Sequence, residues 1–251
     1  MTGRIDVHSH LLPGIDDGCA DLAESLSCAR QLVAAGYTHS FCTPHYWPNL
    51  QTSPATVPQW TAALQKELDA ANIPLRLYPG GEINLRPGFS DGDPEHVVSY
   101  GMARRYALVD VWAETLPDFF EPQIRWLQSM GMKVILAHPE RMRAVQDQPE
   151  LADYFEDLGM LMQGNLQCLS DPETALTRRV MERYLDRGRY FMLGTDLHNL
   201  RTIDLRLNGL KRATQLVGDA EIERMTVLNP LRILVQSGLI SPPPYQPITN
   251  D

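Results

Sequence analysis

Histidines and carboxylates at alternate positions carry the first chemical signal in this chain. His8 and His10 lie two residues apart at the end of Arg4-Ile5-Asp6-Val7-His8, where strand alternation puts both imidazoles on one face. Two imidazoles on one face can bind a single cation. Asp196 and His198 repeat the spacing. Thr43-Pro44-His45, Gly80-Gly81-Glu82, Leu136-Ala137-His138-Pro139 and Gly194-Thr195-Asp196-Leu197-His198 each deliver a ligand-type side chain just past an apolar run. Five of the seven histidines fall in this constellation. The other two, His39 beside Thr38 and His96 after Asp93-Pro94-Glu95, read as structural or exposed. Nitrogen and oxygen donors without thiolates favour manganese, iron, zinc or magnesium, and the share of histidine argues against magnesium alone. Manganese fits first, with iron or zinc as alternatives. Carboxylates among the imidazoles suggest bridging between ions about 3.5–4 Å apart, a site that polarises phosphoryl oxygens and makes hydroxide.

Such residues need rigid elements, and the chain alternates short β-type runs with longer helical stretches, the pattern of an α/β protein with a parallel sheet. After Pro13-Gly14, Asp21 is placed to cap a helix with an apolar stripe of Leu22, Leu26, Ala29 and Val33, which Gly36 closes. Strands are predicted at His39 to Thr43, Leu75 to Ile83, Tyr106 to Val111, Lys133 to Ala137, Met160 to Asn165 and Tyr190 to Leu193. Helices are predicted around Trp60 to Ala70, Gln123 to Met130, Asp171 to Arg187 and Leu205 to Val217. The candidate ligands then sit at C-terminal strand ends, where barrel active sites are built. With no break in the alternation, residues 1–240 read as one barrel and 241–251 as a proline-bearing tail.

The totals narrow the function classes. A chain of 251 residues can form one α/β barrel or two small domains. A net charge of −9 disfavours sequence-independent binding to nucleic acid, which depends on clustered Lys and Arg. No apolar run approaches the ~20 residues of a membrane span, and the start of the chain leaves no room for a signal peptide, so a soluble, cytoplasmic protein without membrane insertion is expected. Cys19, Cys28, Cys42 and Cys168 are scattered without paired spacing and read as reduced thiols. None has arginine six residues later, which excludes the Cys-x5-Arg route to phosphate-ester cleavage.

Taken in order, Asp6-Val7-His8-Ser9-His10-Leu11-Leu12-Pro13-Gly14-Ile15-Asp16-Asp17-Gly18, Thr43-Pro44-His45, Gly81-Glu82-Ile83, Ala137-His138-Pro139-Glu140-Arg141, Gly194-Thr195-Asp196-Leu197-His198-Asn199 and Asn229-Pro230 resemble the bacterial CpsB-type protein-tyrosine phosphatases of the PHP superfamily over nearly the whole chain. The resemblance implies a distorted TIM-like (β/α)7 barrel holding three metals. It also implies hydrolysis of phosphotyrosine on a tyrosine kinase of exopolysaccharide assembly, and a metal-bound hydroxide is the expected attacking group. Its metal ligands fall on His8, His10, Asp17, His45, Glu82, His138, Asp196 and His198. Where the family has a bridging glutamate, Asp110 aligns, with Glu114 as the fallback, and Asp16 competes with Asp17. Arg141 matches an arginine that binds substrate phosphate, against the alternative of a surface ion pair with Glu140. A second family arginine has no residue at its place, and Arg201 or Arg206 would substitute. The loop from Tyr46 to Pro58 departs from the family, with Tyr46 and Trp47 serving either as a substrate lid or as packing on the barrel rim. Two other readings stand beside this one: a small-molecule phosphatase of the histidinol-phosphatase type, and a non-catalytic regulator that docks a kinase.

Overall fold

The computed structural model describes residues 3–241, so the prolines at 242–244 and the rest of the expected tail lie outside the described residues. In chain order the elements are β1 (Arg4–Asp6), α1 (Leu22–Ala34), β2 (Tyr37–Cys42), β3 (His45–Tyr46), α2 (Thr56–Ala70), β4 (Arg76–Pro79), β5 (Glu82–Asn84), β6 (Tyr106–Asp110), α3 (Phe120–Ser129), β7 (Lys133–Ala137), α4 (Arg143–Asp147), α5 (Leu151–Asp157), β8 (Leu161–Asn165), α6 (Leu176–Asp186), β9 (Met192–Gly194), α7 (Ile203–Val217), α8 (Asp219–Glu223) and α9 (Asn229–Gln236).

All strand pairs are parallel, in the orders β1-β2-β4 and β3-β5-β6-β7-β8-β9. The two sheets are continuous along the chain. β2 runs through Thr43-Pro44 into β3, β4 runs through Gly80-Gly81 into β5, and the register Cys42 opposite Pro79 resumes as His45 opposite Glu82. The strands therefore occupy seven positions. Beyond their ladders β1 and β9 also meet, with Ser9 opposite Leu197, the His10 amide donating to Leu197 O at 2.8 Å and the Asp196 amide to His8 O at 2.7 Å. This is the expected (β/α)7 barrel arrangement. Its irregularity lies at the two interruptions.

Strand alternation sorts the apolar residues into two sets. Ala107, Val109, Val134, Leu136, Met162 and Leu193 join the larger core with the helices. Tyr106, Leu108, Ile135, Ala137 and Met192 cluster with Ile5, Val7, Phe41 and Tyr78, and with Ile233 and Leu234 of α9. The second set shares a strand face with Asp110 on β6, so the polar site sits on a packed apolar column.

Local chemistry explains the boundaries. Asp21 accepts from the Glu24 amide at 2.9 Å and Glu24 accepts from the Ala20 amide at 2.9 Å, a reciprocal cap that starts α1. Other edges differ from the sequence reading. The strand expected over Leu75 to Ile83 is broken at Gly80-Gly81. The helix expected from Asp171 begins at Leu176, because Leu166–Ser170 forms a 3-10 turn capped by the Asn165 side chain and Pro172 follows it. Tyr190 precedes β9 instead of opening it, and its hydroxyl donates to Glu140. Helices α4, α5, α8 and α9 were not anticipated; each but α9 is seven residues or fewer, too short for a period to show.

The 3-10 turn also fixes the strand ends beside it, since α7 packs directly on it. A Cβ at Gly209 would fall on the Leu166 carbonyl. Gly209→Ala is therefore expected to destabilise the protein by about 3 kcal/mol, as overpacking does. Denaturant unfolding checks this; a loss under about 0.5 kcal/mol would contradict it.

Candidate metal centre

The ring of strand ends brings all nine expected ligands to one place. Their donor atoms form four overlapping groups: His8, His10 and Glu82; His8, His138 and Asp196; Glu82, Asp110 and His138; and His10, Asp17, His45 and His198. His8, His10, Glu82, Asp110 and Asp196 are buried, whereas the Asp17 side chain is 58% exposed. Glu114 lies on the exposed rim, outside these groups.

The tightest convergence involves His8 Nε2, His10 Nε2, Glu82 Oε2 and Asp196 Oδ1. The two nitrogens are 3.3 Å apart, and each lies 3.3–3.5 Å from both oxygens. Tautomers make this spacing informative. His10 Nδ1 is 2.7 Å from Asp16 Oδ2, a carboxylate that only accepts, so Nδ1 carries the proton. His8 Nδ1 likewise donates to Gln163 Oε1 at 2.8 Å. Both Nε2 lone pairs then face each other and two carboxylate oxygens. Such a set is stable only around positive charge. Separations of 3.3–3.5 Å between neighbouring donors are those of adjacent ligands on one first-row cation.

Other atoms ask for the same partner. His45 Nδ1 and Glu82 Oε2 face each other at 2.8 Å, and Asp110 Oδ2 is buried without a hydrogen bond. His138 Nε2 meets Glu82 Oε1 at 2.9 Å, and His45 Nε2 and His198 Nε2 approach Asp17 Oδ1 at 3.3 and 3.5 Å. His198 Nδ1 donates to the Asp196 carbonyl at 2.9 Å, leaving Nε2 free to ligate. The electrostatics agree. Burial alone would lower His8 and His10, yet Glu82 and Asp196 hold His8 above its usual pKa and Asp16, with Asp196 and Glu82, holds His10 well above it. Burial and the charge of Glu82 push Asp110 up to about 7. A field that holds protons on buried imidazoles also favours a divalent cation in their place. The residues fit a multinuclear centre of nitrogen and oxygen donors.

Asp16 and Asp17 divide the roles that the sequence left open. Asp16 accepts from His10 Nδ1, from the His45 amide at 2.9 Å and from the Gly18 amide at 3.0 Å, so it is the turn residue that aims two imidazoles. Asp17 faces His45 and His198. Several positioning residues were missed. Asp6, which burial pushes up to about 6, accepts from the Thr195 amide and hydroxyl. Gln163 and Asn165 share one face of β8; Asn165 Nδ2 donates to Asp196 Oδ2 at 2.7 Å. Their two-residue spacing was the available signal. Asp196 and His138 have φ of +50° and +34°, a left-handed backbone uncommon outside glycine that clusters at functional sites. Arg206 holds Asp196 in it, donating from Nε and Nη2 to the Asp196 carbonyl at 3.0 and 2.7 Å.

Arg141 Nη1 donates to Asp196 Oδ2 at 2.9 Å while its side chain stays 51% exposed at a cleft of about 610 Å³. Glu140 is not its surface partner: it is buried, accepting from the Asn165 amide and the Tyr190 hydroxyl. Arg201 is exposed on the short turn Leu200–Thr202 and lines neither this cleft nor the adjoining one; Arg206 lines the latter. Trp47 packs on the rim, stacked on His45 at 4.4 Å. His39 bonds Thr38 and His96 is exposed, both away from the centre.

Comparison with known proteins places this geometry. The family model for capsular polysaccharide synthesis, CpsB/CapC, matches residues 4–235. The chain is 26% identical over 245 residues to the tyrosine-protein phosphatase YwqE of Bacillus subtilis, covering 97% of this chain and 96% of that one. It is 23% identical over 221 residues to the tyrosine-protein phosphatase CpsB of Streptococcus agalactiae, covering 85% and 89%. Among solved structures, one from a study of YwqE of Bacillus subtilis and CpsB of Streptococcus pneumoniae, described as metal-dependent tyrosine phosphatases, aligns with a TM-score of 0.83 and 25% identity over 98% of this chain and 99% of that one.

Gln163→Ala removes the acceptor that fixes the His8 tautomer and is expected to weaken divalent-cation binding about 10–100-fold. Chelator competition measures this, and unchanged affinity would contradict the assigned tautomer. In the same assay Asp110→Ala is expected to reduce the number of ions bound and Glu114→Ala to leave it unchanged; the reverse pattern would move the bridging duty to Glu114.

Proposed function

The chain belongs to the CpsB/CapC capsular polysaccharide synthesis family, and on that premise we propose that it is a metal-dependent protein-tyrosine phosphatase acting in exopolysaccharide synthesis. The observation that carries this reading is the convergence of His8 Nε2 and His10 Nε2 on Glu82 Oε2 and Asp196 Oδ1, two carboxylates that line a cleft together with Arg141. His8, His10, Asp17, His45, Glu82, Asp110, His138, Asp196 and His198 would hold three ions, manganese by preference with iron or zinc as alternatives. When bound, these ions supply Lewis acidity toward phosphoryl oxygens and lower the pKa of water.

The chain's own residues do the rest. Arg141 spends one of five N–H donors on Asp196 and keeps the others for phosphate oxygens, on which charge grows during transfer. Asp196 is held against that pull by Asn165 and by Arg206. The leaving group suits the site, since a tyrosine phenol has a pKa of about 10 and departs with little protonation. The cysteines do not compete as nucleophiles. All four are buried, and burial keeps the Cys42 and Cys168 thiols far above the reactive range.

We further propose residues 1–240 as a single catalytic unit in the cytoplasm, with a phosphotyrosine protein as substrate, namely a bacterial tyrosine kinase of polysaccharide assembly. The family's description and the relatives' names as tyrosine-protein phosphatases support a phosphotyrosine substrate in capsular polysaccharide synthesis. Among the described residues no helix is long and apolar enough to cross a membrane.

Steady-state comparison of a phosphotyrosyl peptide with histidinol phosphate tests the reading: the peptide is expected to show the higher kcat/KM, and preference for the small ester would replace this function with a small-molecule phosphatase. Arg141→Ala is expected to lower kcat/KM for the peptide about a hundredfold, as loss of one transition-state donor does. Undiminished turnover would remove Arg141 from the site.

A further inference from the structure

Floor and rim of the cleft differ in chemistry. The floor is buried and ionic; one stretch of rim is formed by Val111, Trp112 and Ala113, following β6, with Arg141, Met142 and Arg143 also lining the cavity. Trp112 is 65% exposed, the most open of the large apolar side chains among the described residues. A single exposed apolar residue is ordinary. This one is braced. Its ring meets Trp47 edge-to-face at 4.9 Å and 84°, Trp47 stacks on His45 at 4.4 Å and 13°, and His45 lies 6.1 Å from Trp112 at 89°. A wall of two indoles therefore rises from one of the candidate ligands, at separations typical of aromatic pairs.

We propose that Trp112, held by Trp47, is the specificity-determining platform for the aryl ring of the substrate. This rests on the phosphatase reading above and assigns the residue that selects its ester. A phosphate at the donor cluster carries its ester group up toward the rim, where a phenyl ring replaces water on the open indole. Length adds discrimination. Glu82 and Asp110 on the floor are each 1% exposed, and a phosphoserine has only Cβ and Oγ between its main chain and phosphorus. A phosphotyrosine interposes its ring, which keeps its main chain farther from the floor and at the level of Trp112.

The test uses the manganese-loaded full chain and one peptide phosphorylated on either tyrosine or serine, with wild type, Trp112→Ala and Trp112→Phe. The ratio of kcat/KM for the phosphotyrosyl over the phosphoseryl peptide is expected to fall about tenfold in Trp112→Ala and to recover in Trp112→Phe, because an aromatic pair is regained. Phenylphosphonate, whose C–P bond is not hydrolysed, but not inorganic phosphate, is expected to quench wild-type tryptophan fluorescence, and Trp112→Ala to lose that quenching. An unchanged ratio, or equal losses on both peptides, overturns the platform while leaving the phosphatase reading intact. A wild-type protein that hydrolyses neither peptide overturns the phosphatase reading and the platform with it.

Discussion

Two imidazole nitrogens 3.3 Å apart, each with its proton committed on the far side of the ring, impose a condition that the rest of the molecule satisfies. Lone pairs so placed repel one another, and Glu82 and Asp196 add negative charge at nearly the same distance. Burial removes the water that would screen them. The arrangement is stable when positive charge sits among them, and the same requirement makes the centre useful, because a cation held by buried donors can draw electrons from a phosphoryl group. Binding and chemistry therefore follow from one constraint.

Holding the constraint is the work of the barrel. Ser9 opposite Leu197 joins the first and last strands, setting His8 and His10 beside Asp196 and His198. Gly194 permits the approach, since a Cβ there would lie 2.8 Å from the His8 Cβ and 2.9 Å from Gln163 Nε2. The left-handed Asp196 is fixed by Arg206 through its carbonyl and by Arg141 and Asn165 through its carboxylate. Asp16 and Gln163 aim the imidazoles from behind, as outer residues of metal centres do. Apolar packing beneath, from Phe41 to Leu234, gives these polar groups a rigid base.

Sequence alone made part of this legible. Alternation placed His8 with His10 and Asp196 with His198, and the position of His45, Glu82 and His138 past apolar runs put them at strand ends, where the structure has them. Asp17 and Asp110 came from family resemblance, because a turn aspartate beside another aspartate and an aspartate in an apolar strand carry no periodic signal. Arg206 could not be told from Arg201: which one reaches the site depends on how α7 packs against the turn after β8, a contact distant in sequence. Gln163 and Asn165 were hidden for a related reason. An amide in a strand reveals its partner only once the ring is closed. The short helices after β7, and those from Asp219 onward, carried too few turns to show a period or were passed over, whereas α1, with its cap and apolar stripe, was read nearly to the residue.

The central claim is that the buried donor cluster holds the ions on which turnover depends. Its most direct test is hydrolysis of a phosphotyrosyl peptide by chelator-stripped protein, with and without added Mn²⁺, alongside metal analysis of the untreated protein. The account predicts bound first-row metal as isolated, loss of turnover on stripping and its return with Mn²⁺. Full turnover by the stripped, metal-free protein would contradict it.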